Sequence, residues 1–238
     1  MRRFVAIVAL LITANAPAHD LITAELAEGY LNKAVKWHEQ SETDTDTAER
    51  AKAYLRIGVM LDEIRGYLNR DLAVHGEVQG LASTYLVAEL KRVGTPLAYS
   101  ASRNYFTANS DYYRMALELG LNSILAREAR LRLLRGEFYD SFDVDPLETS
   151  QSPEQLAQSV ALVEQLLATV SSEPDLEEVR FIAAIVYARA AQAATDAAAR
   201  AEYRGKALAY VDAFIGDYPD SLRSAAMPVV RAALYDLN

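Results

Sequence analysis

Apolar residues recur in this chain at spacings of three and four along run after run, and alternating β-branched segments are rare. That periodicity puts one apolar stripe along each of a series of helices and leaves little that could build a sheet. Ile22, Leu26, Ala27, Tyr30, Leu31, Ala34, Val35 and Trp37 make the first stripe, from Asp20 to about Gln40. Ala51, Leu55, Val59, Leu61, Ile64 and Leu68 make the second, expected to end near Asn69. Asp46 and Glu49 have capping-box spacing at its start. HGEVQGLASTYLVAELKRVG reads as a short helix closed by Gly94, where a left-handed C-cap costs glycine little. TPLAYSASRNYFTANS, polar and aromatic, is the longest expected connection. DYYRMALELG and LNSILAREARLRLLRG then read as helices ending at Gly120 and Gly136.

The later breaks are marked by proline. Ser152-Pro153-Glu154-Gln155 combines an N-cap serine, proline at the first helical position and glutamine at the third. Asp175 and Glu178 again have capping-box spacing, and an alanine-rich stretch from Phe181 to about Ala201 follows with few breaks. Pro174-Asp175 and Pro219-Asp220 lie 45 residues apart. In that register Phe181, Ile182, Ile185, Tyr187 and Ala188 fall opposite Ala226, Met227, Val230, Ala232 and Ala233. Each proline cannot extend the helix before it, and the adjacent aspartate can cap the next. Pro228 should kink the last helix or delay its start. The expected fold is all-α: stacked antiparallel helical hairpins, about ten helices, with a less regular N-terminal part.

Composition narrows the functions. The chain has 238 residues, 51% hydrophobic, with a formal charge of −9 and no Lys/Arg-dense block, which argues against a nucleic-acid partner. Without cysteine there is no disulfide, thiolate metal site or cysteine nucleophile. MRRFVAIVALLITANAPAHD has the basic start, apolar run and Ala16-Pro17-Ala18 site of a secretory signal peptide over residues 1–18. The apolar run is about half of the roughly 20 residues a membrane-spanning helix needs. A periplasmic address is the expectation, with a mature chain beginning at His19.

YYRMALELGLNSILAREARLRLLRGEFYDSF, Tyr112 to Phe142, resembles a tetratricopeptide repeat, with Tyr113 and Ala116-Leu117 on the second helix of one unit and Asn122 opening the next. ALAYVDAFIGDYPDSLRSAAM is similar to the punctuation of tetratricopeptide-like proteins of the bacterial envelope. The 45-residue spacing exceeds the usual repeat of about 34. The resemblance covers the chain from about Ser110 onward and implies tetratricopeptide-like repeats over 109–238 and a non-enzymatic adaptor that binds envelope proteins or peptide segments in its groove. Residues 19–108 match the repeat pattern poorly and are expected to form N-terminal helical hairpins, diverged from it, or a separate helical cap.

Residues that could carry chemistry are few. His19, His38 and His75 are the histidines. A mature N-terminal His19 offers an amine and an imidazole to copper, which supports an alternative as a periplasmic metal- or small-molecule-binding protein. His38-Glu39 lacks the rest of H-E-x-x-H and sits where a histidine favours a helix C-terminus. Asp140, Asp143, Asp145 and Glu148 lack the glycine and alternation of a calcium loop. No G-x-S-x-G motif is present, so an all-α enzyme remains only as a site assembled from distant residues. No cofactor is expected. Tyr99, Arg103, Tyr105, Phe106, Tyr112 and Tyr113 crowd one short stretch, and Tyr and Arg are favoured interface anchors. The same residues also suit packing at the junction between the two halves. Arg127 and Arg130, with Arg132 and Arg135, form a basic spine that could hold a partner carboxylate.

Overall fold

The Thr23 hydroxyl accepts the Leu26 N–H at 3.2 Å and opens α1 (Ala24–Thr43). The structure, a computed structural model, describes residues 22–141 and 147–237. The signal-peptide segment, His19, Asp143 and Asp145 lie outside the described residues. Nine α-helices and two short strands are present among those described. The chain forms two compact units, one running to Gly136 and the other starting at Glu137.

In the N-terminal unit, α1 pairs with α2 (Thr47–His75) and with α3 (Leu81–Arg92). The core joins Tyr30 and Ala34 of α1 to Ile57, Leu61, Ile64 and Leu68 of α2 and to Leu86 and Leu90 of α3. Each fully buried aliphatic side chain contributes about 1.5–3 kcal/mol. The Asp46 carboxylate accepts the Ala48 N–H at 2.8 Å, but the expected capping box does not close. Glu49 turns instead to Lys52, at 2.5 Å, and to the Gln40 amide. α2 runs past Asn69 to His75 because Leu72 continues the buried stripe, and it stops at Gly76, whose φ of 77° is left-handed. α3 ends at the expected glycine: Gly94 has φ 83°, its N–H reaches the Lys91 carbonyl, and the Thr95 N–H reaches Leu90 at 2.9 Å. That is the paired bonding of a Schellman cap.

The expected irregular connection contains a small antiparallel hairpin. β1 (Tyr99–Ser100) pairs with β2 (Tyr105–Phe106), Tyr99 opposite Phe106. On the far edge the Asn69 side chain accepts the Phe106 N–H at 2.7 Å and donates to the Phe106 carbonyl at 2.8 Å. One amide thus satisfies both groups that a third strand would otherwise bond.

α4 (Ser110–Leu119) lies against α2. Tyr113 is wholly buried over Gly58, where an added Cβ would sit 2.8 Å from the ring, and its hydroxyl donates to Asp62 at 2.5 Å. This packing makes α4 part of the N-terminal unit, so the units meet after Gly136 and not after residue 108. Asn122 caps α5 (Ser123–Asp140) by accepting the Leu125 N–H at 3.0 Å. Gly136 does not end that helix. A Cβ there would lie 2.6 Å from the Ala108 Cβ, so close packing explains the glycine.

In the C-terminal unit, α6 (Pro153–Leu167) begins with the expected capping box, both bonds made between Ser152 and Gln155. α7 (Glu173–Ala193) packs on α6 and on α8 (Ala197–Asp217). Every residue from Phe181 to Ala191 is buried. A helix enclosed on all sides needs small side chains where neighbours approach, which accounts for the alanines. The alanine-rich run is broken at Ala194, and Asp196 caps α8 through the Ala199 N–H at 2.8 Å. α7 starts at Ser172 rather than at Asp175, and Glu178 is drawn into the core, where it accepts the Tyr139 hydroxyl and meets Arg223. Phe181 joins Phe138 and Phe214 at ring separations of 6.1 and 5.9 Å. Buried Arg189 lies over Phe138 and donates to the Ser141 hydroxyl at 2.7 Å.

Past Tyr218-Pro219 the cap is Ser221 and not Asp220: its hydroxyl accepts the Arg223 N–H and donates to Glu177 at 2.6 Å. A 3-10 turn (Leu222–Ala226) leads into α9 (Met227–Tyr235), and Pro228 occupies its first turn, the delayed start. Ala226, Met227 and Val230 are buried like their counterparts Phe181, Ile182 and Ile185. Ala232 and Ala233, at the end of the same register, are less enclosed than Tyr187 and Ala188. No helix among the described residues is long and apolar enough to cross a membrane.

Candidate functional site

The N-terminal unit carries an open groove of about 680 Å³. α1 supplies His38 and Glu42, α2 supplies Tyr54, and α4 supplies Tyr112, Arg114 and Met115. Residues on either side of the hairpin, Pro96 to Ala98 and Ala108 to Ser110, complete the lining. Asn109 ties the two segments together. Its amide nitrogen donates to the Pro96 carbonyl at 2.8 Å, and its oxygen accepts the Ala98 N–H at 3.4 Å.

The tyrosines are oriented by their hydroxyls. Tyr54 donates to Glu42 at 2.8 Å, and Tyr112 donates to the Gly94 carbonyl at 3.3 Å. Their ring centroids are 6.3 Å apart. Burial first, then the charges of Tyr54, Asp111 and Glu42, push the Tyr112 hydroxyl up to about 12. Burial and Glu42 also raise Tyr54. Both are neutral donors at physiological pH. The His38 ring packs on Gly94, where a Cβ would fall 2.8 Å from Nε2, so that glycine serves both the left-handed cap and the groove wall. Arg114 pairs with Asp111 at 2.8 Å. The result is an open trough lined by aromatic, polar and small residues, with charges of both signs around it.

Of the residues expected to meet a partner, Tyr112 lines the groove. Phe106 and Tyr113 are core residues, which removes them from any contact surface; they were drawn inward by the α2 packing. Tyr99 is 49% exposed at the hairpin, its hydroxyl donating to Asn104 at 2.6 Å. Arg103 and Tyr105 are half-buried in the same hairpin. Arg127 and Arg130 are half-buried on α5, and neighbouring Arg132 reaches Glu128 at 3.1 Å. Neither Arg127 nor Arg130 lines the groove. His38, Tyr54 and Met115 are the lining residues that sequence reasoning did not connect. Arg114, directly after Tyr113 of the aromatic cluster, carried the nearest signal.

Among the described residues no three His, Asp or Glu side chains group in a way that would hold a metal ion. His75 lies at the last turn of α2, apart from the groove. No family model, curated protein or solved structure matches the chain.

Proposed function

We propose that this protein is a non-enzymatic scaffold of the bacterial envelope, exported by its N-terminal segment, that holds an extended segment of a partner envelope protein. The observation that carries the reading is the trough between Tyr54 and Tyr112, whose walls are fixed by bonds from Asn109, Tyr112 and Tyr54 before any ligand arrives. A preformed site avoids the ordering cost that weakens flexible ones. The wider assignment to tetratricopeptide-like hairpins draws support from the C-terminal unit, where Tyr218 donates to Glu173, its partner one 45-residue step away. In a stack of repeated hairpins equivalent positions become neighbours.

The test is site-specific photo-cross-linking from Met115 in the envelope of producing cells. One or two partners are expected in stoichiometric amounts, and Tyr112→Ala with Arg114→Ala should remove them while leaving the helical circular dichroism intact. Cross-links that survive the double substitution, or recovery of the protein alone, would overturn the reading.

A second reading, an enzyme, rests on His38 sharing this groove with Glu42 and Asp111. Acid–base chemistry needs such a pair free to act, yet Glu42 already accepts from Tyr54 and Asp111 already pairs with Arg114. Binding is therefore preferred. Hydrolysis of a peptide or ester substrate that is lost in His38→Ala would reverse that preference.

A further inference from the structure

A separate pocket, sharing no lining residue with the groove, is formed by α1, α2 and α5. It has a volume of about 300 Å³, and its wall is Trp37 of α1 with Leu55, Val59 and Met60 of α2 and Leu125 of α5. Lys33, Lys52 and Arg56 stand on its rim with Glu63 and Glu128. Several of these charges are already matched: Lys52 by Glu49 at 2.5 Å and Glu128 by Arg132 at 3.1 Å. Lys33 meets only the Tyr30 ring, and Arg56 has no hydrogen-bond or ion-pair partner among the described residues. Two cations are thus left against Glu63 on a chain whose formal charge is −9. Unmatched cations beside an apolar wall are the complement of an amphipathic anion.

We infer that this pocket binds a small amphipathic carboxylate, its hydrocarbon body against Trp37, Leu55, Val59 and Leu125 and its headgroup between Lys33 and Arg56. The volume stands at the lower end of the range for small-molecule sites, so the body is a short chain or a single ring. Arg56 offers the planar fork that grips a carboxylate with two bonds. The acyl body displaces water from the half-buried indole face, an apolar contact that the open rim now leaves wet.

Trp37 is the only tryptophan in the chain, so its emission reports this pocket without interference. Octanoate, octanamide and octylammonium share one body and differ in headgroup charge. Titrated into the full-length protein, octanoate should change the emission saturably, with a dissociation constant on the order of 0.1–1 mM, as expected for a ligand of this size. Octanamide should bind about tenfold more weakly, and octylammonium should give no saturable change. Lys33→Ala with Arg56→Ala should weaken octanoate about tenfold. Both side chains are exposed, so the fold does not depend on them. Glu63→Gln, which removes the opposing acid, should tighten octanoate about threefold. A linear response to octanoate, equal binding of all three ligands, or variants that bind octanoate as the parent does would each overturn the assignment.

Discussion

Both units aim tyrosine hydroxyls at acids, and they differ in how their aromatic rings pack. In the N-terminal unit the hydroxyls go to acids or to a carbonyl: Tyr54 to Glu42, Tyr112 to Gly94, and the buried Tyr113 to Asp62. In the C-terminal unit Tyr139, Tyr187 and Tyr218 also donate to acids, but the rings pack on one another around an enclosed, alanine-rich α7, with Tyr187 and Tyr210 stacked at 5.6 Å and Phe181 between Phe138 and Phe214. One arrangement leaves a trough and a rimmed pocket open to solvent. The other uses its aromatic surface to close a core.

The strongest way to break that comparison is to empty the enclosed core. Phe181→Ala should cost about 3–5 kcal/mol, the range for a buried aromatic reduced to alanine. Because Trp37 lies in the N-terminal unit, chemical denaturation followed by circular dichroism should show an early step that Trp37 fluorescence does not report. Coincident early loss of both signals would mean the two cores are not separable.

Alkaline pH should weaken both units, since tyrosines raised by burial and nearby acids occur in each, and Trp37 reports on the N-terminal one. Burial and nearby acids raise Tyr113, Tyr112, Tyr54 and Tyr30 above their ordinary value, Tyr112 to about 12. In the unfolded chain these groups lose their protons near pH 10, while the folded chain keeps them. Folding therefore holds more protons, and stability that is level below about pH 10 falls as the pH rises toward 12. Tyrosinate absorbance that rises together with the loss of Trp37 fluorescence is the expected record. Smooth ionisation of all tyrosines with the fold intact would contradict the packing described for them.

A smaller effect tests the close approach of α4 to α2. Gly58→Ala would push a Cβ against the pinned Tyr113 ring and should cost about 1–3 kcal/mol, visible by Trp37 fluorescence. A neutral result would show that the ring can withdraw from Asp62 freely. Ser152→Ala removes one half of the α6 capping box and should cost about 1 kcal/mol, in the circular dichroism transition alone.

Some of this was legible from the chain. The capping box at Ser152, the left-handed Gly94, the helix end at Gly120 and the delayed start, one of two outcomes expected at Pro228, all depend on a few adjacent residues, and the structure has each of them. Signals that needed a distant partner misled. Gly136 has the local marks of a helix end, but it faces Ala108 across the unit. Glu178 sits at capping-box spacing, yet Tyr139 and Arg223 draw it into the core. The hairpin at Tyr99–Phe106 depends on an asparagine 37 residues away, and nothing local announces that. Of the candidate site, Tyr112 was visible as part of an aromatic cluster, but His38 and Tyr54 join it only because α1 and α2 fold back beside α4.

By itself the sequence determined the all-helical class, most helix starts and the absence of thiol chemistry, because periodicity, caps and composition act over one or two turns of chain. Only the tertiary structure decided which tyrosines are buried, where the units divide and where the trough and the Trp37 pocket open. Those outcomes turn on which side chains from separate helices share the same space, and no local run of residues specifies that.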